Sequence, residues 1–149
     1  MGEIKLYIWT DASQFREDRS LTRYEMHYEK EGKDIGSRSD QFISDQTQQG
    51  AILEGMIASL SRINDGSGLS LIVICPNSNI ICSINQKQYE TWSENNWINA
   101  RGKEVKHSDK WQRVRELIHK KLSDITARAP SQEDEAIMHK LGAEKIQQY

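Results

Sequence analysis

The chain opens on strict alternation. Ile4-Lys5-Leu6-Tyr7-Ile8-Trp9-Thr10-Asp11 sets an aliphatic side chain at every second position and ends on an acid, the pattern of a strand. Arg23 to Lys30 and Asp34 to Ser44 read as two further strands joined by the turn Lys30-Glu31-Gly32-Lys33. From Gln48 to Asn64 the period lengthens: Leu53, Met56, Ile57, Leu60 and Ile63 follow the spacing of one buried helix face, which Asp65-Gly66-Ser67-Gly68 terminates. Leu69 to Cys75 is short and β-branched, as in a strand covered on both faces. Pro76-Asn77-Ser78 then leads into a helix through Ile80, Ile81 and Ile84. Trp92 to Val105 is polar, a loop or helix-turn excursion. Ser108 is expected to cap a helix burying Trp111, Val114, Leu117, Ile118 and Leu122. A short strand near Ile125 precedes a last helix opened by Ser131-Gln132-Glu133-Asp134, a serine with an acid three residues on. The order β-β-β-α-β-α-(α)-α-β-α predicts an α/β fold: a five-stranded mixed sheet, three antiparallel strands then strand-helix alternation, with helices on both faces.

Composition adds limits. The 149 residues suit one domain, and 36% hydrophobic with 28% charged residues is ordinary for a globular protein. The longest apolar run, Leu69 to Cys75, is interrupted by Ser70 and too short to cross a bilayer, so no membrane partner is expected. The strand pattern begins at once, so no signal peptide is expected and the location is read as cytoplasmic. Cys75 and Cys82 could form a disulfide, bind a metal or be buried thiols; their apolar neighbours favour reduced and buried. The histidines His27, His107, His119 and His139 are scattered, and no zinc motif is present. Net charge is −2, unevenly spread. Lys87 to Lys121 holds nine basic residues against five acids, a surplus of four, so the rest of the chain carries −6. A basic segment on an acidic body fits either a phosphate-binding patch beside a cation site or a solvated helix face.

The segment Thr91-Trp92-Ser93-Glu94-Asn95-Asn96-Trp97, continuing through Arg101-Gly102-Lys103-Glu104-Val105-Lys106 to Asp109-Lys110-Trp111-Gln112-Arg113, closely resembles the handle, or basic protrusion, of cellular bacterial-type ribonuclease H. Its W…GW…VK…D-WQR pattern matches in an ungapped register. The resemblance covers nearly the whole chain, strongly from about Ser70 to Leu117 and weakly between Gln14 and Ser44. It implies a single ribonuclease H-like domain with its handle at about 92–107. By the same resemblance Trp97, Arg101, Lys103, Lys106, Lys110 and Arg113 are candidate nucleic-acid contacts, while Trp92 and Trp111 are expected to pack the handle onto its own helices.

Family members cleave the RNA strand of RNA/DNA hybrids with two Mg²⁺ ions held by four carboxylates, since only a dense anionic cluster holds two mutually repelling cations close together. The resemblance places the first carboxylate at Asp11 and the second at Glu54, expected together at one end of the sheet as metal ligands. The third falls on Asn77, whose amide oxygen supplies no charge. The fourth falls on Met138, and a thioether is a poor magnesium ligand. Asp134, four residues earlier and about 6 Å along a helix axis, is a candidate replacement, as is Glu135; the other reading of Asp134 is a helix cap. After Asp11 the family's glycine-rich turn is replaced by Gln14-Phe15-Arg16-Glu17-Asp18-Arg19, whose side chains would obstruct close backbone approach to RNA.

Three functions follow from the resemblance. The first is a nucleic-acid-binding ribonuclease H homologue, for RNA/DNA hybrid or duplex, with weak or lost nuclease activity. The second is an active Mg²⁺- or Mn²⁺-dependent enzyme in which Asp134 or Glu135 substitutes. The third is a protein-interaction module, an inhibitor or decoy. With two clear acids, Mg²⁺ or Mn²⁺ is expected to bind weakly and at one site.

Overall fold

The computed structural model describes residues 2–11, 20–31, 33–44 and 47–138, without the side chains at 11, 20, 21, 34, 35, 43 and 44. Residues 12–19, where the family's glycine-rich turn is replaced, and residues 139–149 lie outside the described residues. The elements are β1 (Glu3–Asp11), β2 (Ser20–Lys30), β3 (Lys33–Ser44), α1 (Gln48–Leu60), β4 (Leu69–Ile74), α2 (Ser78–Asn85), α3 (Gln88–Glu94), α4 (Ser108–Lys121) and β5 (Leu122–Arg128), followed by helix α5 at 132–138. One five-stranded sheet runs in the order β3-β2-β1-β4-β5. β1 pairs antiparallel with β2, and β2 with β3, while β1–β4 and β4–β5 are parallel. This is the mixed α/β sheet that the order of elements predicted.

Alternation on β1 sorts the core. Ile4, Leu6 and Ile8 are fully buried on one face, with Leu71 and Val73 of β4 beside them, under Leu53 and Met56 of α1. The other face carries Tyr7 and Ile74, packed with Met138 of α5. β4 is therefore covered on both faces, as its run of β-branched residues indicated. At the closest approach of α1, a Cβ on Gly55 would stand 3.2 Å from Ile8 Cγ2, so glycine lets the helix settle onto β1.

α1 and α4 run side by side in the same direction. Thr47 at the start of α1 meets His107 at 3.3 Å, and the Lys121 ammonium at the far end reaches the carbonyls of Ser61 and Ile63. A buried lysine thus caps a helix C-terminus whose carbonyls would otherwise lack partners. These bonds also correct the expected end of the first helix. It stops at Leu60, where the ladder tightens to i→i−3 bonds, Arg62 N–H to Ser59 O and Ile63 N–H to Leu60 O both at 3.1 Å, and Ile63 is buried in that turn.

Two further expectations change. Ser108 is not the cap of α4 but its first residue; His107 occupies the cap position with φ 60°, and the Ser108 hydroxyl donates to Glu104 Oε1 at 2.8 Å. Cys82 is exposed, since α2 turns Ile80 and Ile84 inward, and only Cys75 is buried; both thiols are free. Burial pushes the Cys75 thiol up to about 11, so it stays protonated at neutral pH. No helix among the described residues is long and apolar enough to cross a membrane.

β5 is an edge strand, and its outer backbone is occupied. Asn85 of α2 accepts from Ala127 N–H and donates to Ala127 C=O, both at 2.8 Å, so a side-chain amide stands where a sixth strand would pair. Asn85→Ala should therefore cost about 1 kcal/mol, read as a lower urea midpoint with an unchanged slope, and should increase concentration-dependent association.

Candidate nucleic-acid interface and the carboxylate end of the sheet

Parallel strands β1 and β4 finish at the same end of the sheet, where α1 and α2 begin. Ligands of such sheets bind outside the carboxyl ends of the strands. Asp11 ends β1, its backbone paired with Leu21; its side chain lies outside the described residues. Asn77 follows β4 and caps α2: Oδ1 accepts from Ile80 N–H at 3.0 Å, and Nδ2 donates to Gln48 Oε1 at 3.2 Å. The amide donor thus ties the start of α2 to the start of α1, a bond an ionised aspartate could not donate.

Glu54 stands beside a cation. Its neighbour Gly55 faces Ile8 of β1, three residues or about 10 Å short of Asp11 along the strand. One residue is a rotation of about 100° on a helix, so Glu54 looks along the flank toward α4, where Lys110 Nζ lies 4.0 Å from Oε1. Lys110 also stands 4.0 Å from Asp109, and its side chain is only 17% exposed. The residue read as a phosphate ligand is thus placed between two acids, and one of the two expected metal ligands has a resident cation beside it. His107 completes this corner. Its burial, with the positive charges of Lys110 and Lys106, holds it below the usual histidine range.

Asp134, the candidate replacement acid, is spent on structure. It accepts from Ser131 N–H and Oγ, both at 2.9 Å, Ser131 Oγ accepts from Asp134 N–H at 3.2 Å, and the Arg128 guanidinium closes the group. The residue is 5% exposed. Burial alone would raise its pKa, but Arg128 and the Ser131 donors outweigh it and hold the carboxyl at about 2. Glu135, the other candidate, is exposed on α5. Met138, at the fourth family position, is buried against Tyr7 and Ile74. Among the described residues no three His, Cys, Asp or Glu side chains are grouped to hold a metal ion. Its described donors, an amide engaged as a cap, a carboxylate beside a lysine and a buried thioether, do not fit a two-magnesium centre.

The basic segment is better built. α3 ends in consecutive left-handed residues, Asn96 (φ 55°) and Trp97 (φ 62°), held by Trp97 N–H to Trp92 O at 2.7 Å. A tight turn follows, pinned by Asn99, whose Oδ1 accepts from Arg101 and Lys103 N–H at 2.9 and 3.1 Å. Gly102, at φ 77°, closes it, and Ile98 bridges to Glu104. Arg101, Lys103 and Lys106 are held exposed by this frame. Arg113 is exposed too, but pairs with Glu116 at 3.1 Å. Trp111 is fully buried and meets Trp92 edge-on at 5.7 Å, the packing role expected for both; half-buried Trp97 leans on Trp92 at 6.4 Å. Between this frame and the starts of α1 and α2 lies a cleft of about 280 Å³, lined among others by Gln49, Asn79, Trp92, Asn99 and Lys106. The sequence reading missed its amides; their concentration at two helix starts, Gln48-Gln49 and Asn77-Ser78-Asn79, was the available signal.

No protein-family model matches the chain, and no curated protein matches it. Solved structures do. The chain is similar to the RNase H domain of prototype foamy virus, at 18% identity and TM-score 0.61, covering 94% of this chain and 90% of that one. It is similar to LC9-RNase H1, described as a type 1 RNase H with the type 2 active-site motif, at 14% identity and TM-score 0.64, covering 87% and 64%. It also matches the foamy viral protease-reverse transcriptase in complex with RNA/DNA hybrid, at 14% identity and TM-score 0.60, covering 91% of this chain but only 18% of that much longer one. The fold is the ribonuclease H fold.

The Asp134 group makes stability acid-sensitive. Its folded pKa lies below the ordinary aspartate value of about 3.8, so its contribution is fully present above that value and is lost as pH falls toward 2. About 2 kcal/mol should disappear across that window. Urea melts of wild type and Asp134→Asn at pH 5 and near pH 2 read this directly: the variant should be less stable at pH 5, and the gap should close in acid.

Proposed function

We propose that this ribonuclease H-like protein binds RNA/DNA hybrid or duplex nucleic acid through its handle and has weak or lost nuclease activity. The observation that carries the reading is the handle turn itself. Asn99 fixes the backbone at Arg101 and Lys103 so that three exposed cations stand beside an amide- and tryptophan-lined cleft. Phosphates supply most of the affinity of such contacts, and amide and indole groups suit sugar and base edges. The foamy viral neighbour is described in complex with RNA/DNA hybrid, which supports the same partner class here.

The low-activity half of the reading rests on donor chemistry. Asn77 supplies no charge and is engaged as a helix cap, Met138 is a buried thioether, Asp134 is locked to Arg128, and Glu54 faces Lys110. Divalent ions would meet at most two carboxylates near the end of β1, so magnesium or manganese binds weakly in this reading.

Charge removal tests the interface. Lys103→Gln with Lys106→Gln should weaken hybrid binding in fluorescence anisotropy and lower the salt slope by about two units, one per lost phosphate contact, with an unchanged thermal melt. Lys110→Gln should have a smaller effect, because its charge is already matched by Glu54 and Asp109. Salt-independent binding, or equal loss in all three positions, would overturn the assignment.

A further inference from the structure

At the opposite end of the sheet lies a second cleft, unrelated to the handle. Tyr28 pairs with Ile4 of β1 on one side and Gly36 of β3 on the other, so this place stands about 23 Å along β1 from Asp11. β3 is the sheet's other edge strand, and Arg38 of β3 lines the same cleft as Arg62, just after α1. The cleft between them, about 380 Å³, is lined by Arg38, Arg62 and Asn64, with Tyr28, Ile63 and Leu69 among its other walls.

Its electrostatics favour an anion. Arg62 is matched by Asp40 at 3.0 Å, and Lys121 by Asp65 at 3.2 Å. The carbonyls of Ser61 and Ile63 at the C-terminal end of α1, which would repel an anion, are turned to Lys121. That leaves Arg38, which is exposed and has no ion pair or hydrogen bond to any described residue. Among the described residues, the cleft therefore carries one guanidinium with no ion pair beside a second one held in place by Asp40. Two planar forks and an adjacent amide donor suit the three oxygens of a terminal phosphate better than a single carboxylate. The space exceeds what a bare phosphate fills, and the Tyr28 ring with Leu69 and Ile63 gives the remainder an aromatic and apolar wall.

We propose that this cleft binds a phosphate monoester carrying a flat group, of the nucleoside monophosphate kind. Two sources share that chemistry: a free nucleotide, or the phosphorylated end of a nucleic-acid strand. The inference does not rest on the handle, and its test uses different residues.

Calorimetric titration with adenosine 5′-monophosphate, inorganic phosphate and adenosine separates the parts. The monophosphate should bind saturably and more tightly than phosphate, with adenosine weakest. Arg38→Gln, at an exposed position with an unchanged thermal melt expected, should weaken monophosphate binding by roughly tenfold, Arg38→Lys by less, and Lys103→Gln not at all. Absence of saturable binding, or equal affinity in Arg38→Gln, would overturn the proposal. Single strands with a 5′-phosphate or a 5′-hydroxyl then identify the source. An Arg38-dependent preference for the phosphorylated strand assigns the site to strand ends. No preference, together with monophosphate binding, assigns it to free nucleotides.

Discussion

Burial of the Ile4-Leu6-Ile8 stripe under α1 is the constraint on which the rest of the molecule depends. Among the described strands β1 alone has both an antiparallel and a parallel neighbour, and its Ile4, Leu6 and Ile8 side chains are fully buried. Gly55 lets α1 approach until Ile8 is in contact, and that height fixes where α1 begins, beside the start of α2 at the carboxyl ends of β1 and β4. The same seating decides the direction of Glu54. A helix turns about 100° per residue, so placing Gly55 on the strand places Glu54 on the flank facing α4. Packing of the core and the chemistry of the site are thus set by one contact.

Charge follows from that geometry. A carboxylate-rich end would need countercharge; among the described residues Glu54 and Asp134 find it within the protein. Lys110 stands by Glu54, Arg128 by Asp134, and the Asn77 position holds a neutral amide that joins two helix starts. Each arrangement stabilises the fold without a cation, and each subtracts from the negative potential that divalent ions require. Positive charge is instead displayed on the handle, where Arg101, Lys103 and Lys106 are exposed. Among the described residues, the handle thus carries exposed cations, and Glu54 and Asp134 each have a basic partner.

Much of this was legible in the chain. The period of two in residues 4–11 and the period of 3.6 in residues 48–60 report burial directly, so the strands, most helices and their order followed from side-chain pattern; α3 at Gln88–Glu94 did not, and Leu122, read on a helix face, opens β5. The tryptophans at 92, 97 and 111 with Val105-Lys106 marked the handle. What pattern could not give is direction within a correctly placed element. Glu54 was placed on the right helix, but pattern alone did not announce Lys110 of α4 beside it. Ser108 looked like a cap because its chemistry suits one, whereas a left-handed His107 took the position. Cys82 was misread from its apolar neighbours, since Ile80 and Ile84 lie inward on the side of α2 opposite to it. The Asn99 turn depends on two backbone N–H groups that donate to the Asn99 side chain and on backbone bonds that join Asn99 to Lys103 and Gly102, and nothing in composition announces it.

The central claim, binding retained while the carboxylate site is dismantled, is tested most directly by following one end-labelled RNA/DNA hybrid with wild type and Asn77→Asp in Mg²⁺ and in Mn²⁺, reading affinity and strand integrity from the same samples. The account predicts salt-dependent binding by both proteins, an intact RNA strand with wild type, and at most slight cleavage with the variant, because Met138 and the Lys110-matched Glu54 still leave the site short of charge. Efficient, metal-dependent cleavage of the RNA strand by the wild-type protein would contradict it.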